Sequence, residues 1–202
     1  MTGGALWPDN VNKLFYLFGG EYSDSEELKR KNAGGGFTLW LYDTIYDSWN
    51  KSKYDGSQAN IRWPAFGASA VSDAGTAYYY GGYLTNASDF ETEGQPVMQN
   101  ALISYDMDKR EWFNNTGNPT RRAEGSLHYL PASDSGLLVY FGGLETNSSS
   151  GEVIYVSCCQ FINGQDRADS LQANMSVSRA CQVYHLPGLI QSSKFNFSTS
   201  LA

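Results

Sequence analysis

The stretch Tyr78-Tyr79-Tyr80-Gly81-Gly82 ends an apolar, aromatic run and recurs twice in altered form. The copies are Phe18-Gly19-Gly20 and Phe141-Gly142-Gly143, so the first glycines of the three doublets lie 62 and 61 residues apart. A near-constant spacing of this kind indicates an internal repeat. Two glycines at the end of a strand allow positive φ and a close approach of backbones where the chain leaves the sheet.

The residues around each doublet predict a unit of four strands. In the middle unit these are residues 65–71, 76–80 and 101–106 and a short strand from residue 111, with a turn at 72–75 and a polar loop at 83–100. The first unit has the same order, with strands at 4–7, 14–18, 37–43 and from 48, a turn at 8–10 and a loop at 21–36. The third unit has only the first two strands, at 122–127 and 137–141.

A tyrosine in the third strand and a tryptophan in the fourth recur at fixed spacing. Tyr42 precedes Trp49 by seven residues, and Tyr105 precedes Trp112 by seven. Each tyrosine follows the first glycine of its doublet by 23 or 24 residues. Large aromatic side chains on adjacent strands bury a large area. We therefore predict that these four side chains pack between sheets and do not contact a ligand.

The combination of an apolar strand, Gly-Gly, Tyr and then Trp resembles the kelch repeat, over residues 3–143. Arg62 and Arg121-Arg122 are similar to the arginine that often precedes the first strand in that family. Four strands form one blade of a β-propeller there, so the resemblance implies an all-β fold, a partial kelch-type β-propeller of about two and a half four-stranded antiparallel blades. The structural motif residues implied by it are Gly19, Gly20, Tyr42, Trp49, Gly81, Gly82, Tyr105, Trp112, Gly142 and Gly143.

The repeat divides the chain into units of about residues 3–60, 61–118 and 119–143, the last incomplete, followed by a non-repeat tail at 144–202. The tail is predicted to be partly disordered, with strand character at 151–159 and weak helical character at 170–182. Propellers close with about four to eight blades. The count therefore favours a fragment of a longer protein, or a gene model that has lost its ends.

Composition excludes several classes of partner. The chain has 202 residues and a formal net charge of −7, which provides no electrostatic reason to bind nucleic acid or an anionic membrane face. Its two basic clusters, Lys29-Arg30-Lys31 and Arg121-Arg122, are predicted to be solvated loop charge. No apolar stretch is long enough to span a bilayer, and no signal peptide is visible.

Six sequons suggest a secretory route for the parent protein, since their use requires entry to that pathway. They begin at Asn50, Asn86, Asn114, Asn147, Asn174 and Asn196. The repeat blocks are also similar to filamentous-fungal kelch-repeat proteins of the cell-surface or cell-wall type. That resemblance implies an extracellular or cell-surface location for a full-length parent, whereas this chain lacks a signal and an anchor.

No catalytic, cofactor or metal site is predicted. Nothing specific links Ser126, His128 and Asp134 into a triad. The three cysteines, all in the last quarter of the chain, have no CxxC spacing. Loop carboxylates leave a calcium site as an alternative, although EF-hand spacing is absent. Those carboxylates are Asp24, Glu26, Glu27, Asp89, Glu91 and Glu93.

The function predicted from these features is a non-catalytic binding scaffold. The loops at 21–36 and 83–100 would lie on the same side of successive blades and form a joint surface for a protein or a surface glycan. The alternative is a fragment of a kelch-propeller enzyme, such as a copper-radical oxidase, whose catalytic blades are missing. Such an oxidase needs Tyr, His and Cys ligands, and the repeats contain no cysteine.

Overall fold

The computed structural model describes residues 2–22, 39–53, 59–89, 91–92, 94–115, 120–132, 136–147, 153–155 and 159–162. These residues contain β-strands and turns and no α-helix. The strands are β1 (Ala5–Asp9), β2 (Leu14–Phe18), β3 (Trp40–Asp43), β4 (Ser48–Lys51), β5 (Ala68–Val71), β6 (Thr76–Tyr80), β7 (Tyr83–Leu84), β8 (Val97–Met98), β9 (Leu102–Asp106), β10 (Glu111–Asn115), β11 (Thr120–Ala123), β12 (Ser126–Leu130), β13 (Leu137–Phe141), β14 (Leu144–Asn147), β15 (Val153–Tyr155) and β16 (Cys159–Ile162).

In the described part of the chain, three antiparallel meander sheets follow one another. The first has the order β1-β2-β3-β4, the second β5-β6-β9-β10 and the third β12-β13-β16; we call them blade 1, blade 2 and blade 3. Each is a meander, in which neighbouring strands in the sheet are also successive strands of the unit. The prediction of an all-β fold with the blades of a partial β-propeller is confirmed.

The hydrophobic core lies between the blades, because a single small sheet cannot bury two apolar faces by itself. Blades 1 and 2 enclose one cluster and blades 2 and 3 enclose a second. The largest buried side chains of the first cluster are Trp7, Tyr16, Phe18, Trp63, Tyr79, Ile103 and Tyr105. Those of the second are Tyr80, Leu102, Leu127, Leu138 and Tyr140.

A second set of short strands lies beyond the glycine doublets. It consists of the β7–β8 hairpin, the β11-β14-β15 sheet and, in blade 1, a bridge between Thr2 and Glu21. The chain passes from β6 to β7 through Gly81-Gly82 and from β13 to β14 through Gly142-Gly143. We call this set, with Tyr22 and the residues between β7 and β8, the loop layer.

The first strands predicted for the second and third units are not continuous. The expected strands at 65–71 and 122–127 are interrupted at Phe66 and Glu124, which adopt φ of 58° and 60°. Their backbone N–H groups leave the sheet register: Phe66 donates to the carbonyl of Gly3, and Glu124 donates to the carbonyl of Phe66, each at 2.8 Å. The hydrogen bonds made at these two interruptions therefore connect successive blades. The sequence pattern of a single strand does not reveal such a connection.

The first turn also differs from the prediction, which began it at Pro8. Pro8 pairs with Phe15 inside β1, an edge strand, where a missing N–H is tolerated. The turn begins after Asp9, whose carboxylate accepts the N–H groups of Val11 and Asn12 at 3.1 and 2.9 Å.

Strands continue past the third doublet. β14 leads away from Gly143, and β16 pairs with β13 from Leu138 to Phe141, which gives blade 3 a third strand. The residues after 162, including the predicted helical stretch at 170–182, lie outside the described residues, as do residues 23–38 of the first loop.

Candidate functional site

The loop layer begins at the glycine doublets. Gly81 and Gly82 have φ of 71° and 85°, in the left-handed region that favours glycine. A Cβ on Gly81 would overlap the carbonyl oxygen of Arg122, which precedes blade 3, and a Cβ on Gly82 would lie 2.5 Å from the carbonyl oxygen of Ala65, which precedes the first strand of blade 2. The missing Cβ of the first glycine thus leaves space for the chain that leads into blade 3, and that of the second glycine leaves space for the chain that leads into blade 2.

Blades 1 and 2 are joined through their loops. The backbone N–H of Tyr22 donates to the carbonyl of Ala87 at 3.1 Å, and Thr85 Oγ1 donates to Glu21 Oε1 at 2.8 Å. Glu21 and Tyr22 are the first residues of the loop predicted at 21–36, and Thr85 and Ala87 belong to the loop predicted at 83–100. The described parts of the two loops are therefore adjacent.

The turn that carries Thr85 is anchored by a buried carboxylate. Asp89 is fully buried and forms an ion pair with Arg62, whose Nε lies 2.7 Å from Asp89 Oδ2. Thr92 Oγ1 donates to the same oxygen at 3.1 Å. Since Arg62 precedes the first strand of blade 2, the ion pair fastens the loop to its own blade.

Two arginines for which solvated loop charge was predicted lie at the junction of blades 2 and 3. That prediction is wrong for both residues: Arg122 is buried and pairs with Glu145, and the half-buried Arg121 donates from Nη1 to the carbonyl of Met98 at 2.9 Å. The guanidinium of Arg122 also lies 5.5 Å from the centroid of the Tyr140 ring. The other basic cluster, at 29–31, lies outside the described residues.

A tyrosine and a glutamate meet at the junction of blades 2 and 3. Tyr83 OH donates to Glu124 Oε1 at 3.2 Å, and the Phe66 ring lies 6.5 Å from that of Tyr83. Partial burial and the Glu124 carboxylate raise the pKa of Tyr83 to about 12, because both disfavour a phenolate there. The phenol therefore stays a neutral hydrogen-bond donor at physiological pH. Sequence reasoning missed this pair, since the two residues are distant in the chain.

The tyrosine–tryptophan pairs occupy two environments. Tyr105 is fully buried, with its ring centroid 4.4 Å from that of the half-buried Trp112 and 6.4 Å from that of Trp7 in blade 1. Tyr42 and Trp49 have ring centroids 5.1 Å apart, but Trp49 is 53% exposed. Burial was predicted for all four side chains. For Trp49 that prediction is wrong, since the described residues place no sheet against its face of blade 1.

The sequons differ in accessibility. Asn86, in the loop layer, and Asn50, on β4, are exposed, whereas Asn114, on β10, is half-buried and donates from Nδ2 to the carbonyl of Asn60 at 3.3 Å. Asn147 ends β14. The side chain of Asn147 and the whole of Asn174 and Asn196 lie outside the described residues.

Two residues of the weighed triad do approach each other. Ser126 Oγ lies 2.9 Å from His128 Nε2 on the exposed side of β12, whereas Asp134 is outside the described residues. Across the described part of the chain, no group of three or more His, Cys, Asp or Glu residues is placed to hold a metal ion. No helix in the same part of the chain has the length and apolar character needed to cross a membrane.

The stacked antiparallel sheets and their shared loop layer place the chain in the class of open, partial β-propellers. No family model and no curated protein matches its sequence. Among solved structures, the chain is similar to YjhT, with a TM-score of 0.43 and 17% identity over 71% of this chain. The chain spans 34% of the length of the YjhT chain.

Proposed function

We propose that this chain is part of a non-catalytic kelch-type scaffold that binds a protein or a surface glycan through its loop layer. The observation that supports the proposal is the direct bonding of loops from successive blades, represented by Thr85 to Glu21 and by Arg121 to Met98. A loop held in this way loses less conformational freedom when a ligand binds. Loops positioned by a rigid scaffold commonly carry the binding residues of a fold.

The described part of the loop layer offers both polar and apolar contact groups to a ligand. Glu91 is 78% exposed and Val97 is 41% exposed, and Asn86 lies exposed at the turn beside Ala87. Asp89 and Ser88, in the same loop, are buried, and their hydrogen bonds stabilise the turn that contains Thr85. The exposed groups are therefore available to a ligand while the buried groups maintain the shape of the surface.

We also infer an extracellular or cell-surface location for the parent protein, in line with the resemblance to fungal surface kelch proteins. The exposure of Asn50 and Asn86 supports this inference, since a glycan needs space around its asparagine. The test is to express the chain through a eukaryotic secretory pathway and to measure the mass of the secreted protein. We expect added glycan mass that endoglycosidase removes, and the loss of one glycan in each of Asn50→Gln and Asn86→Gln. A secreted chain without glycans would count against the inference.

The binding proposal is tested with a pair of charge reversals at opposite ends of blade 2. Glu91→Lys changes the loop layer, and Glu111→Lys changes an equally charged, exposed residue next to the β9–β10 turn at the other end of the strands. Val97→Lys serves as a second change in the loop layer. Wild-type and variant chains are immobilised and exposed to a cell-surface protein extract and to a glycan array.

We expect the wild type to capture a defined protein or glycan. Glu91→Lys or Val97→Lys should reduce this capture at least about tenfold, whereas Glu111→Lys should leave it unchanged. The two arms separate a protein ligand from a glycan ligand. Equal loss in all three variants, or no dependence on the loop-layer residues, would place the binding surface elsewhere and contradict the proposal.

A further inference from the structure

One face of blade 1 is apolar and no described strand packs on it. Cross-strand pairing places Phe15, Tyr42 and Trp49 side by side on this face, and Leu6, Leu17 and Trp40 in the adjoining row. Leu6 and Trp49 are each 53% exposed. Isolated exposed apolar residues are ordinary, but a contiguous row of aromatic side chains marks an interaction surface. We call it the open face of blade 1.

The repeat indicates what kind of surface covers such a face. In blade 2, Tyr105 and Trp112 occupy the positions of Tyr42 and Trp49, and there blade 1 covers them. Phe18 of blade 1 lies 5.4 Å from the Trp112 ring, and Tyr16 lies 5.5 Å from the Tyr105 ring. The Tyr–Trp face of one blade is thus covered by the other face of the neighbouring blade. That second face carries the aromatic side chain that comes just before the glycine doublet.

Blade 3 presents a face of that second kind. Phe141 precedes Gly142 as Phe18 precedes Gly19 and Tyr80 precedes Gly81, and each of the three lies opposite a small residue of the first strand. Tyr80 uses this position to contact Tyr140 of blade 3, with ring centroids 5.6 Å apart. Phe141 itself is 44% exposed, with its ring 5.5 Å from that of the exposed His128. The chain therefore carries both halves of an interblade junction.

We propose that two copies of this chain associate head to tail, with the Phe141 face of blade 3 in one copy against the open face of blade 1 in the other. The contacts inside the chain always join these two different faces, and a contact between different surfaces is heterologous, so it closes into a ring or extends into a filament. The described residues of two copies contribute six blades, within the range of about four to eight that closes a propeller. The expected assembly is a closed dimer.

The backbone supports the same direction of association. Phe66 donates its N–H to the carbonyl of Gly3, and Glu124 donates to that of Phe66. If the same hydrogen bond forms between the two copies, the N–H of Gly3 in one copy donates to the carbonyl of Glu124 in the other. Phe141 of one copy then meets Trp49 of the other, as Phe18 meets Trp112 within the chain.

The experiment measures the mass of the whole 202-residue chain by sedimentation and light scattering over a range of concentrations. Trp49→Glu alters only the open face of blade 1 and Phe141→Glu only the face of blade 3. Each is expected to weaken self-association by about 30-fold or more. Val11→Glu, at a residue 78% exposed in the β1–β2 turn, is the matched control and should associate like the wild type. Circular dichroism and thermal melts verify that each variant is folded.

Mixing distinguishes a head-to-tail contact from other arrangements. A Trp49→Glu copy keeps an intact blade 3 face and a Phe141→Glu copy keeps an intact open face, so an equimolar mixture should form a one-to-one dimer with a single junction. A wild-type chain that stays monomeric overturns the proposal. So does an assembly lost in Trp49→Glu but unaffected by Phe141→Glu, which would indicate a face-to-face contact, or a mixture of folded variants that does not associate.

Discussion

Gly82 of blade 2 donates its backbone N–H to the carbonyl oxygen of Arg122, immediately before blade 3, at 2.8 Å. Gly20 of blade 1 forms the same bond to Pro64, immediately before blade 2, at 3.1 Å. Both glycines have a left-handed backbone, with φ of 85° and 92°. The doublet that ends one strand is therefore also the point at which each blade is bonded to the next one.

Replacing Gly81 by alanine should destabilise the protein more than the same change at Gly75. Both glycines have positive φ, 71° and 78°, but the new Cβ at Gly81 would overlap the Arg122 carbonyl oxygen, whereas nothing lies within 4 Å of it at Gly75. The left-handed conformation costs an alanine about 1–2 kcal/mol at either site. The overlap adds about 1–3 kcal/mol to the loss in the free energy of unfolding at Gly81. Urea denaturation measures both; an equal loss would show that the interblade approach is not tight.

Removing the hydroxyl of Tyr79 should cost about 1–3 kcal/mol in the free energy of unfolding. Tyr79 is fully buried, accepts the backbone N–H of Gly67 at 2.7 Å and donates to the carbonyl of Pro64 at 3.1 Å. Tyr79→Phe leaves the Gly67 N–H without this acceptor. Tyr46→Phe, at a residue 78% exposed, is the control and should change stability by less than about 0.5 kcal/mol. Urea midpoints that fall equally in both variants would contradict the role given to the buried hydroxyl.

Stability should fall at alkaline pH. Burial raises the pKa of Tyr140 to about 12, and burial with the Glu124 charge raises that of Tyr83 to about 12, whereas an unfolded tyrosine titrates near 10. The folded state therefore retains protons that the unfolded state releases. This contribution is complete below about pH 10 and is lost as the pH rises towards about 12. Urea midpoints across this range should decrease, and less steeply in Tyr83→Phe.

The same experiment provides its own check through tyrosinate absorbance. If the raised pKa values are correct, part of the tyrosine absorbance change should coincide with unfolding. If all tyrosines titrate at about pH 10 and the urea midpoint does not change, the pKa values of the buried phenols are not raised and they do not contribute to the pH dependence of folding stability.

The pattern of strands was accessible from the sequence because its causes are local. Glycine doublets, turn residues and aromatic runs predict where β2, β6 and β13 end, and the Tyr-to-Trp spacing locates β9 and β10. The adjacency of the loops followed from the repeat alone, since equivalent loops lie on the same side of successive sheets. The bonds that connect them did not, because Glu21 and Thr85 are 64 residues apart.

The burial of Arg122 shows why part of the site escaped prediction. Its sequence neighbours, Arg121 and Glu124, are polar, which favours a solvated loop. Its surroundings in the fold are Glu145 and Tyr140, brought beside it by the pairing of β11 with β14 and by the second strand of blade 3. No pattern within a few residues of Arg122 carries that information.

The sequence alone determined the repeating unit, since alternating apolar residues and glycines select strands and turns through local sterics. It could not determine which copy of a motif is buried. Tyr105–Trp112 and Tyr42–Trp49 share residue types and spacing, yet blade 1 covers the first pair and no described strand covers the second. Burial belongs to the contact between sheets, and only the tertiary structure decides which sheets meet.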